Sequence, residues 1–213
     1  MQSEIKTLPS PNEIENIIFD LGNVLIDIDI DATKRAFDKI IIEDVAPKLI
    51  HDLFLQYEVG LFEESTFVHE ISIFCKNEIS HQQIIDAWNE ILVGANPKRW
   101  DFLKKLRKKY RLFVLSNTNT THIDWVHNDL KVNHNIDNFE GFFDVVYYSH
   151  VLKKRKPNLD IYLKIIELEN FDPKKTLFID DNLDNILAAK RTGLHVYHHT
   201  IGAEIIEVLS DWI

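Results

Sequence analysis

Short apolar runs alternate with amphipathic stretches along much of this chain. The runs have the length and composition of strands that a parallel sheet buries on both faces. Strands that alternate with helices predict an α/β fold, in which right-handed crossovers join parallel strands. The predicted strands are Asn16–Phe19, Leu112–Leu115, Val145–Tyr148, Leu177–Ile179 and His195–Tyr197.

Most of the intervening stretches have a helical period. Apolar residues share one face of Arg99–Tyr110 and surround Asp160–Glu169, which predicts two helices against the sheet. Asn185–Thr192 ends before Gly193, a residue type that commonly terminates helices. The segment Thr200–Ile213 predicts a final helix that covers the sheet.

One long segment, from about Ile30 to Asn96, carries no strand pattern. This segment is predicted to end at the turn-forming residues from Gly94 to Pro97. We therefore expect a helical insert after the first strand, above the carboxyl ends of the strands, where α/β sheets place their ligands. Its predicted helices are Ala32–Ile42, Ala46–Tyr57, Glu64–Lys76 and Ser80–Leu92.

Composition narrows the class of protein. The chain has 213 residues, of which 45% are hydrophobic, and its net charge of −10 argues against a nucleic-acid-binding face. No run approaches about 18 apolar residues, so no membrane span is expected, and no signal-peptide pattern precedes the first strand. The single cysteine, Cys75, predicts a reducing compartment such as the cytoplasm and a buried structural thiol. No long heptad demands a partner, so a monomer or weak homodimer is expected.

Two predicted strands run directly into aspartates. Asp20 follows the first strand, and Asp180 and Asp181 follow the fourth. Ionised carboxylates are costly to bury, and adjacent ones repel unless a cation or a proton lies between them. A hard divalent ion such as Mg²⁺ resolves this conflict. Turn caps and a favourable helix dipole are the alternative explanation for each motif taken alone.

A hydroxyl and a basic run follow other strands. Ser116 and Asn117 end the second strand, where a hydroxyl and the N–H groups of a helix start can hold phosphate oxygens; simple N-capping is the alternative. The run from Lys153 to Lys156 precedes Pro157, and one of its lysines can reach the site as a point charge. The run itself does not show which lysine does so.

The order Asp20, Ser116, Lys156 and Asp180-Asp181 resembles the haloacid dehalogenase superfamily of phosphatases, over roughly residues 17 to 197. The segments FDLGNVLIDID, VLSNTN, RKP with IY after it, and IDDNLDNI resemble more closely the bacterial α-D-glucose-1-phosphate phosphatase group, as does the cap segment QYEVGLFEESTF. The resemblance implies a Rossmann-like catalytic core of residues 16–30 and 97–213 and a helical cap of residues 31–96. The polar composition of the first residues predicts a flexible lead-in of residues 1–15.

The resemblance also implies a reaction and a set of roles. Asp20 attacks phosphorus and forms an aspartyl-phosphate, which water hydrolyses. The substrate is a small phosphorylated molecule, a sugar phosphate such as glucose 1-phosphate. Lys156 neutralises the phosphate and Asp20 together, while Ser116 and the backbone of Asn117 bind the phosphoryl oxygens. The implied Mg²⁺ ligands are Asp20, the carbonyl of Gly22, Asp181 and, directly or indirectly, Asp180.

Position 22 departs from the superfamily pattern. Related phosphatases usually carry a second aspartate there, which protonates the leaving oxygen, and such help is typically worth roughly 10²–10⁴-fold in rate. Here the residue is Gly22. The sequence leaves the replacement open among water, Asp27, Asp29, Tyr57 and Glu58.

Three other functions compete with the phosphatase. A dehalogenase-type hydrolase uses the same aspartate and needs neither Mg²⁺ nor the second aspartate, but the pair Asp180-Asp181 would repel its anionic substrate. A pseudo-enzyme would bind phosphate without turnover. A signalling receiver domain has its acidic pair early in the chain and has no helical insert, so it fits poorly.

Overall fold

The computed structural model describes residues 5–213, with a parallel sheet at its centre. Five strands of the described chain form this sheet in the order β5-β4-β1-β6-β7, and all of them run parallel. This confirms the predicted α/β fold. The strands are β1 (Asn16–Phe19), β2 (Asp27–Ile28), β3 (Leu92–Gly94), β4 (Arg111–Ser116), β5 (Val145–Tyr148), β6 (Thr176–Asp180) and β7 (His195–His198).

Helices cover both faces of the sheet and build the insert. Local signals fix several of their ends: Asp29 and Ser80 accept hydrogen bonds from the first turns of α1 and α4, and Asn170 ends α8 in the left-handed conformation. The helices are α1 (Ile30–Ile40), α2 (Pro47–Glu58), α3 (Glu64–Ser72), α4 (His81–Asn89), α5 (Lys98–Leu106), α6 (Thr120–His134), α7 (Ser149–Leu152), α8 (Leu159–Glu169), α9 (Leu183–Lys190) and α10 (Ile205–Val208).

Alternation along β1 divides the core into two layers. Ile17 and Phe19 belong to the cluster beneath α5 and α6, whereas Ile18 belongs to the cluster beneath α8 and α9. All three side chains are fully buried, as a central strand covered on both faces requires. The first strand is therefore a rigid support for the residue that follows it.

The inserted helices α1–α4 have a hydrophobic cluster of their own. It is rich in aromatic rings: Tyr57 stacks on Phe67 with 4.2 Å between ring centroids, and Phe54 lies 4.4 Å from Trp88. The insert therefore has a hydrophobic cluster separate from the two clusters that cover the sheet. The expected domain boundaries at residues 31 and 96 stay a prediction.

The expectation of no strand between residues 30 and 96 is wrong. The helix α4 ends at Asn89, and Leu92–Gly94 form β3, which pairs antiparallel with β2. Three half-exposed residues carry too little alternation to distinguish a strand from a helix end. This pair of strands joins the insert to the sheet, and the buried Arg99 anchors it through a 2.9 Å ion pair to Asp27.

The described part of the expected lead-in is not loose. Ile5 and Ile14 are buried, and the carbonyl of Ile5 accepts a 2.6 Å hydrogen bond from the N–H of His198 in β7. Two apolar residues suffice to dock this polar segment on the core. Residues 1–4 of the lead-in lie outside the described residues.

The C-terminal segment also differs from its prediction. Instead of one helix over residues 200–213, the chain forms the short α10 and a 3₁₀ turn at Ser210–Trp212. Leu209 and Trp212 are buried in the core beneath α5, so packing rather than helix length fixes this end. Within residues 5–213, none of the helices combines the length and the hydropathy that crossing a bilayer would require.

Candidate active site

The predicted site residues meet at the carboxyl end of the sheet. Asp20 directly follows β1, Ser116 ends β4 and Asp180 ends β6. The strands β4 and β6 flank β1 in the sheet, so these three ends are neighbours. The loop between α7 and α8 brings Lys156 to the same place.

Asp20 is held rigidly and is nearly enclosed. Its side-chain Oδ1 accepts hydrogen bonds from the N–H of Leu21 at 2.7 Å and from Nζ of Lys156 at 2.8 Å. Burial raises the pKa of Asp20 to about 7; the charges of Asp180 and Asp181 push it the same way, and Lys156 opposes them. In the metal-free protein this carboxylate therefore takes up a proton readily near neutral pH.

Lys156 lies between two carboxylates. Its Nζ is 2.8 Å from Asp20 and 2.7 Å from Asp180, and its side chain is 1% exposed. Burial by itself lowers the pKa of Lys156, but the charges of Asp180 and Asp20 outweigh it and leave this pKa above its usual value. The ammonium group is charged throughout the physiological range.

The two adjacent aspartates have different environments. Asp180 is fully buried, and it accepts hydrogen bonds from the N–H of Asn182 at 2.8 Å and from the side chain of Asn185, in addition to Lys156. Asp181 is half-buried, and its Oδ2 accepts a 2.8 Å bond from Asn23. Burial and the neighbouring Asp180 raise the pKa of Asp181. Asp181 is thus the more available of the two.

The three carboxylates are close enough to share a cation. One oxygen from each of Asp20, Asp180 and Asp181 lies within 4.8 Å of the other two. Hard oxygen donors at this spacing fit Mg²⁺, which favours carboxylates near phosphate. Lys156 supplies only one positive charge, so the cluster keeps an excess of negative charge that a divalent ion would offset.

A tight turn follows the first strand. Asn23 has a left-handed φ of 55°, and its N–H donates to the carbonyl of Ile26 at 2.7 Å. This turn aims the Asn23 amide at Asp181. Gly22 has little room for a side chain, because a Cβ atom there would lie 3.0 Å from Cδ1 of Ile28. Sequence reasoning missed both Asn23 and Ile28, since only the turn brings them to the site.

Ser116 and Asn117 lie beside Lys156. Ser116 is 3% exposed at the end of β4. The side chain of Asn117 pairs with the backbone of Lys156, at 2.9 Å in each of two hydrogen bonds. Asn119 then caps α6 by accepting from the N–H of His122. The predicted binding of phosphoryl oxygens by Ser116 and the Asn117 backbone stays a prediction.

The sequence candidates for the proton donor are engaged in contacts of their own. Asp27 pairs with Arg99 at 2.9 Å, Asp29 pairs with Arg35 at 2.7 Å, and the Tyr57 hydroxyl lies 2.5 Å from that of Thr121. The carboxyl of Glu58 is largely buried and lies 3.3 Å from Arg155. Burial raises the pKa of Glu58, and Arg155 opposes the shift.

The cap contacts the core just beyond Ser116. The indole N–H of Trp88 in α4 donates to Asn119 at 3.2 Å, and the Trp88 carbonyl lies 3.1 Å from Nε2 of His122. Glu64 of α3 accepts from Thr121 at 2.7 Å. The first turn of α6 is therefore one of the attachments of the cap, which the sequence alone did not indicate.

Comparisons with known proteins agree with this geometry. Residues 14–193 match the family described as haloacid dehalogenase-like hydrolase. A D-ribitol-5-phosphate phosphatase of Bacteroides thetaiotaomicron is 29% identical over 195 residues, which make up 90% of this chain and 94% of that protein.

Two solved structures share the fold and much of the sequence. A haloacid dehalogenase (HAD) family enzyme of Bacteroides thetaiotaomicron, in complex with magnesium and inorganic phosphate, is 34% identical with a TM-score of 0.82, over 92% of this chain and 98% of that one. A predicted HAD-like hydrolase of Porphyromonas gingivalis is 35% identical with a TM-score of 0.81, over 93% and 97%. This chain is a member of the haloacid dehalogenase-like hydrolase family.

Proposed function

We propose that this protein is a Mg²⁺-dependent phosphatase that transfers the phosphoryl group of a small phosphoester to Asp20 and then to water. The observation that carries the proposal is the buried cluster in which Lys156 lies within 2.8 Å of Asp20 and within 2.7 Å of Asp180. An enclosed carboxylate beside a fixed cation suits a nucleophile that must approach an anionic phosphate.

The reaction needs two displacements at phosphorus. In the first, a carboxylate oxygen of Asp20 bonds to phosphorus while the bond to the leaving oxygen breaks, and that oxygen takes a proton from water. In the second, water attacks the aspartyl-phosphate, gives up a proton, and releases inorganic phosphate and the free carboxylate. Among the described residues, the hydrogen bond and the ion pair of the Asp20 side chain both involve Oδ1, which leaves Oδ2 for the attack on phosphorus.

The remaining groups bind and orient. Lys156 offsets the charge of Asp20 and of the incoming phosphate, and Ser116 with the Asn117 N–H holds phosphoryl oxygens at the end of β4. The Mg²⁺ ligands would come from Asp20, Asp181 and the Gly22 carbonyl, and the ion would supply charge neutralisation at the phosphoryl oxygens. Asp180 acts through Lys156, since its oxygens already accept several hydrogen bonds.

A named relative supports a proposal for the substrate class. The relative named for D-ribitol 5-phosphate aligns over most of both chains. We propose that the substrate is a phosphorylated sugar or sugar alcohol; glucose 1-phosphate remains one member to test. A cytoplasmic location and a monomeric or weakly dimeric state also remain predictions.

A phosphate-release screen tests the proposal. The protein is assayed with Mg²⁺ or EDTA against ribitol 5-phosphate, glucose 1-phosphate and other sugar phosphates, with halide release from a haloacid as a further arm. We expect Mg²⁺-dependent phosphate release that Asp20→Asn lowers by about 10³-fold or more. Asp101→Asn, on the exposed surface of α5, serves as the matched control.

Three outcomes would overturn the proposal. Unchanged turnover in Asp20→Asn would exclude this nucleophile. Tight phosphate binding without release from any ester would identify a pseudo-enzyme, and halide release in EDTA would identify a dehalogenase.

A further inference from the structure

Asn117 and Lys156 are joined by two hydrogen bonds between a side chain and a backbone. Oδ1 of Asn117 accepts from the Lys156 N–H at 2.9 Å, and Nδ2 donates to the Lys156 carbonyl at 2.9 Å. We propose that the Asn117 side chain is a positioning residue, which fixes Lys156 so that its ammonium group stands between Asp20 and Asp180. This inference rests on the proposed function of the same site.

Lys156 needs such a support because of where it lies. It belongs to the loop between α7 and α8, where neither a helix nor the sheet orders the backbone. A lysine side chain has four flexible carbons, so its end is placed accurately only if its Cα is fixed. Asn117 immediately follows Ser116 at the end of β4, and β4 lies beside β1 in the sheet.

The chain of contacts therefore connects two parts of the site through rigid elements. The strand β4 fixes Asn117, Asn117 fixes the Lys156 backbone, and the Lys156 ammonium is 2.8 Å from the carboxylate of Asp20, which follows β1. Lys156 is 1% exposed, so little water is available to compensate for a misplaced ammonium.

The pairing also limits what the Asn117 side chain can do for a substrate. Its acceptor and one of its donor positions are used by the Lys156 backbone. A contribution of this side chain to catalysis should thus pass through Lys156, and a direct bond to the phosphoryl group would act independently of it. These two possibilities predict different results in a double-mutant cycle.

The cycle compares Asn117→Ala, Lys156→Ala and the double variant, with Mg²⁺ and a sugar phosphate that wild type hydrolyses. We expect Asn117→Ala to lower kcat by roughly 10–100-fold, since small displacements of catalytic groups have effects of this size. In the Lys156→Ala background the same change should have no further effect on kcat. Asn133→Ala, exposed on α6, is the matched control.

A multiplicative effect in the double variant would overturn the proposal, as would a full rate in Asn117→Ala. Melting curves check folding, and Asn117→Asp is a second variant that keeps the acceptor for the Lys156 N–H but loses the donor to its carbonyl. Asn117→Asp should be at least as slow as Asn117→Ala, because its second carboxylate oxygen would face the Lys156 carbonyl and repel it; a wild-type rate in Asn117→Asp would count against the pairing.

Binding of inorganic phosphate separates this proposal from the proposed function. If wild type releases phosphate from no ester, the proposed function fails, and the same four proteins are titrated with inorganic phosphate and Mg²⁺ by calorimetry. Asn117→Ala should weaken phosphate binding about tenfold in wild type and leave it unchanged in Lys156→Ala. Equal weakening in both backgrounds, or in neither, overturns the positioning role whatever the enzyme hydrolyses.

Discussion

Gly22 is the position at which this chain departs from the superfamily pattern, and its surroundings are crowded. A Cβ atom at position 22 would lie 3.0 Å from Cδ1 of Ile28, which is closer than ordinary van der Waals contact. Any side chain there, including the carboxylate usual in related phosphatases, meets the same neighbour. The side chain of Ile28 must therefore shift before position 22 can carry a side chain.

The crowding at Gly22 can be tested by measuring how a substitution there changes the free energy of unfolding. We expect Gly22→Ala to lower the free energy of unfolding by about 1–2 kcal/mol, because extra volume in a filled site forces its neighbours to move. Ile28→Val removes the very atom, Cδ1, that a new methyl group would touch. The double variant should regain most of the loss in urea unfolding, and simple addition of the two single effects would contradict this account.

His122 gives the fold a pH dependence whose direction is fixed by burial. Its Nε2 lies 3.1 Å from the Trp88 carbonyl, and burial lowers the pKa of His122 from 6.5 to about 4. Between these pH values the unfolded chain binds a proton that the folded chain excludes. The contribution of His122 to stability is therefore complete above pH 6.5 and is lost as pH falls towards 4.

The loss from His122 should reach about 3 kcal/mol at most, since each pKa unit corresponds to about 1.4 kcal/mol. His122→Gln, which keeps an amide for hydrogen bonding without a titrating ring, should flatten this part of the pH–stability curve. Chemical unfolding between pH 4 and 7 measures it, with His195→Gln on β7 as a control. An identical slope in His122→Gln and wild type would contradict the assignment to His122.

At the scale of single residues, the sequence predicts the site residues that lie at the end of a strand. Asp20, Ser116 and the Asp180-Asp181 pair follow apolar runs, and parallel strands bring such positions together. The side-chain role of Asn117 could not be predicted in this way. It depends on a hydrogen bond to a residue 39 positions later in a loop, which no local pattern encodes.

Among the secondary-structure elements, the contact between α4 and α6 connects the cap to the end of the sheet at which Ser116 lies. Trp88 donates its indole N–H to Asn119 at 3.2 Å, and its ring stacks on His122 with 4.6 Å between centroids. Asn119 is the N-cap of α6 and lies three residues after Ser116. A shift of the cap would thus be transmitted to the residues at the end of β4.

Trp88→Phe tests this coupling, because it keeps an aromatic ring and removes the N–H. We expect a loss of about 1 kcal/mol in stability, the usual contribution of one hydrogen bond. Amide hydrogen exchange should become faster in α4 and in the first turn of α6 together. Trp125→Phe, within α6, is the control; faster exchange in α4 alone would show that the two helices are not coupled through Trp88.

Helices and strands with a strong hydrophobic period could be predicted from the sequence, whereas short strands defined only by pairing with a distant strand could not. The strands of the sheet and the cap helices carry enough apolar residues for their type to be read from the sequence. The pair β2–β3 has only two and three residues, half-exposed, and takes its structure from a partner about 65 positions away. The docked segment at Ile5 escaped prediction for the same reason.

On the scale of the whole molecule, the net charge of the chain and the charge of the candidate site are both negative. The chain carries −10 overall, and three carboxylates at the site face one nearby ammonium. An anionic substrate would be repelled by such a surface unless a divalent cation reverses the local field. The protein should therefore bind inorganic phosphate only weakly when Mg²⁺ is withheld.

The state of Asp20 connects metal binding with the stability of the whole protein. Because burial raises its pKa from 3.8 to about 7, the folded metal-free chain keeps a proton between these pH values that the unfolded chain has lost. The contribution of this group thus favours folding at low pH and is lost as pH rises towards 7. Mg²⁺, which would bind the ionised carboxylate, should instead be favoured as pH rises.

Mg²⁺ binding should consequently strengthen as pH rises to about 7 and then level off. Below pH 7 the apparent affinity should fall by up to about tenfold per pH unit, because the ion must displace the proton of Asp20. Calorimetry at pH 6 in buffers of different ionisation enthalpy should detect up to one proton released per ion bound. Asp20→Asn should bind Mg²⁺ more weakly and without proton release, whereas Asp101→Asn should match wild type. If wild type bound Mg²⁺ equally well at pH 5.5 and 7.5, Asp20 would not be the carboxylate that the ion deprotonates.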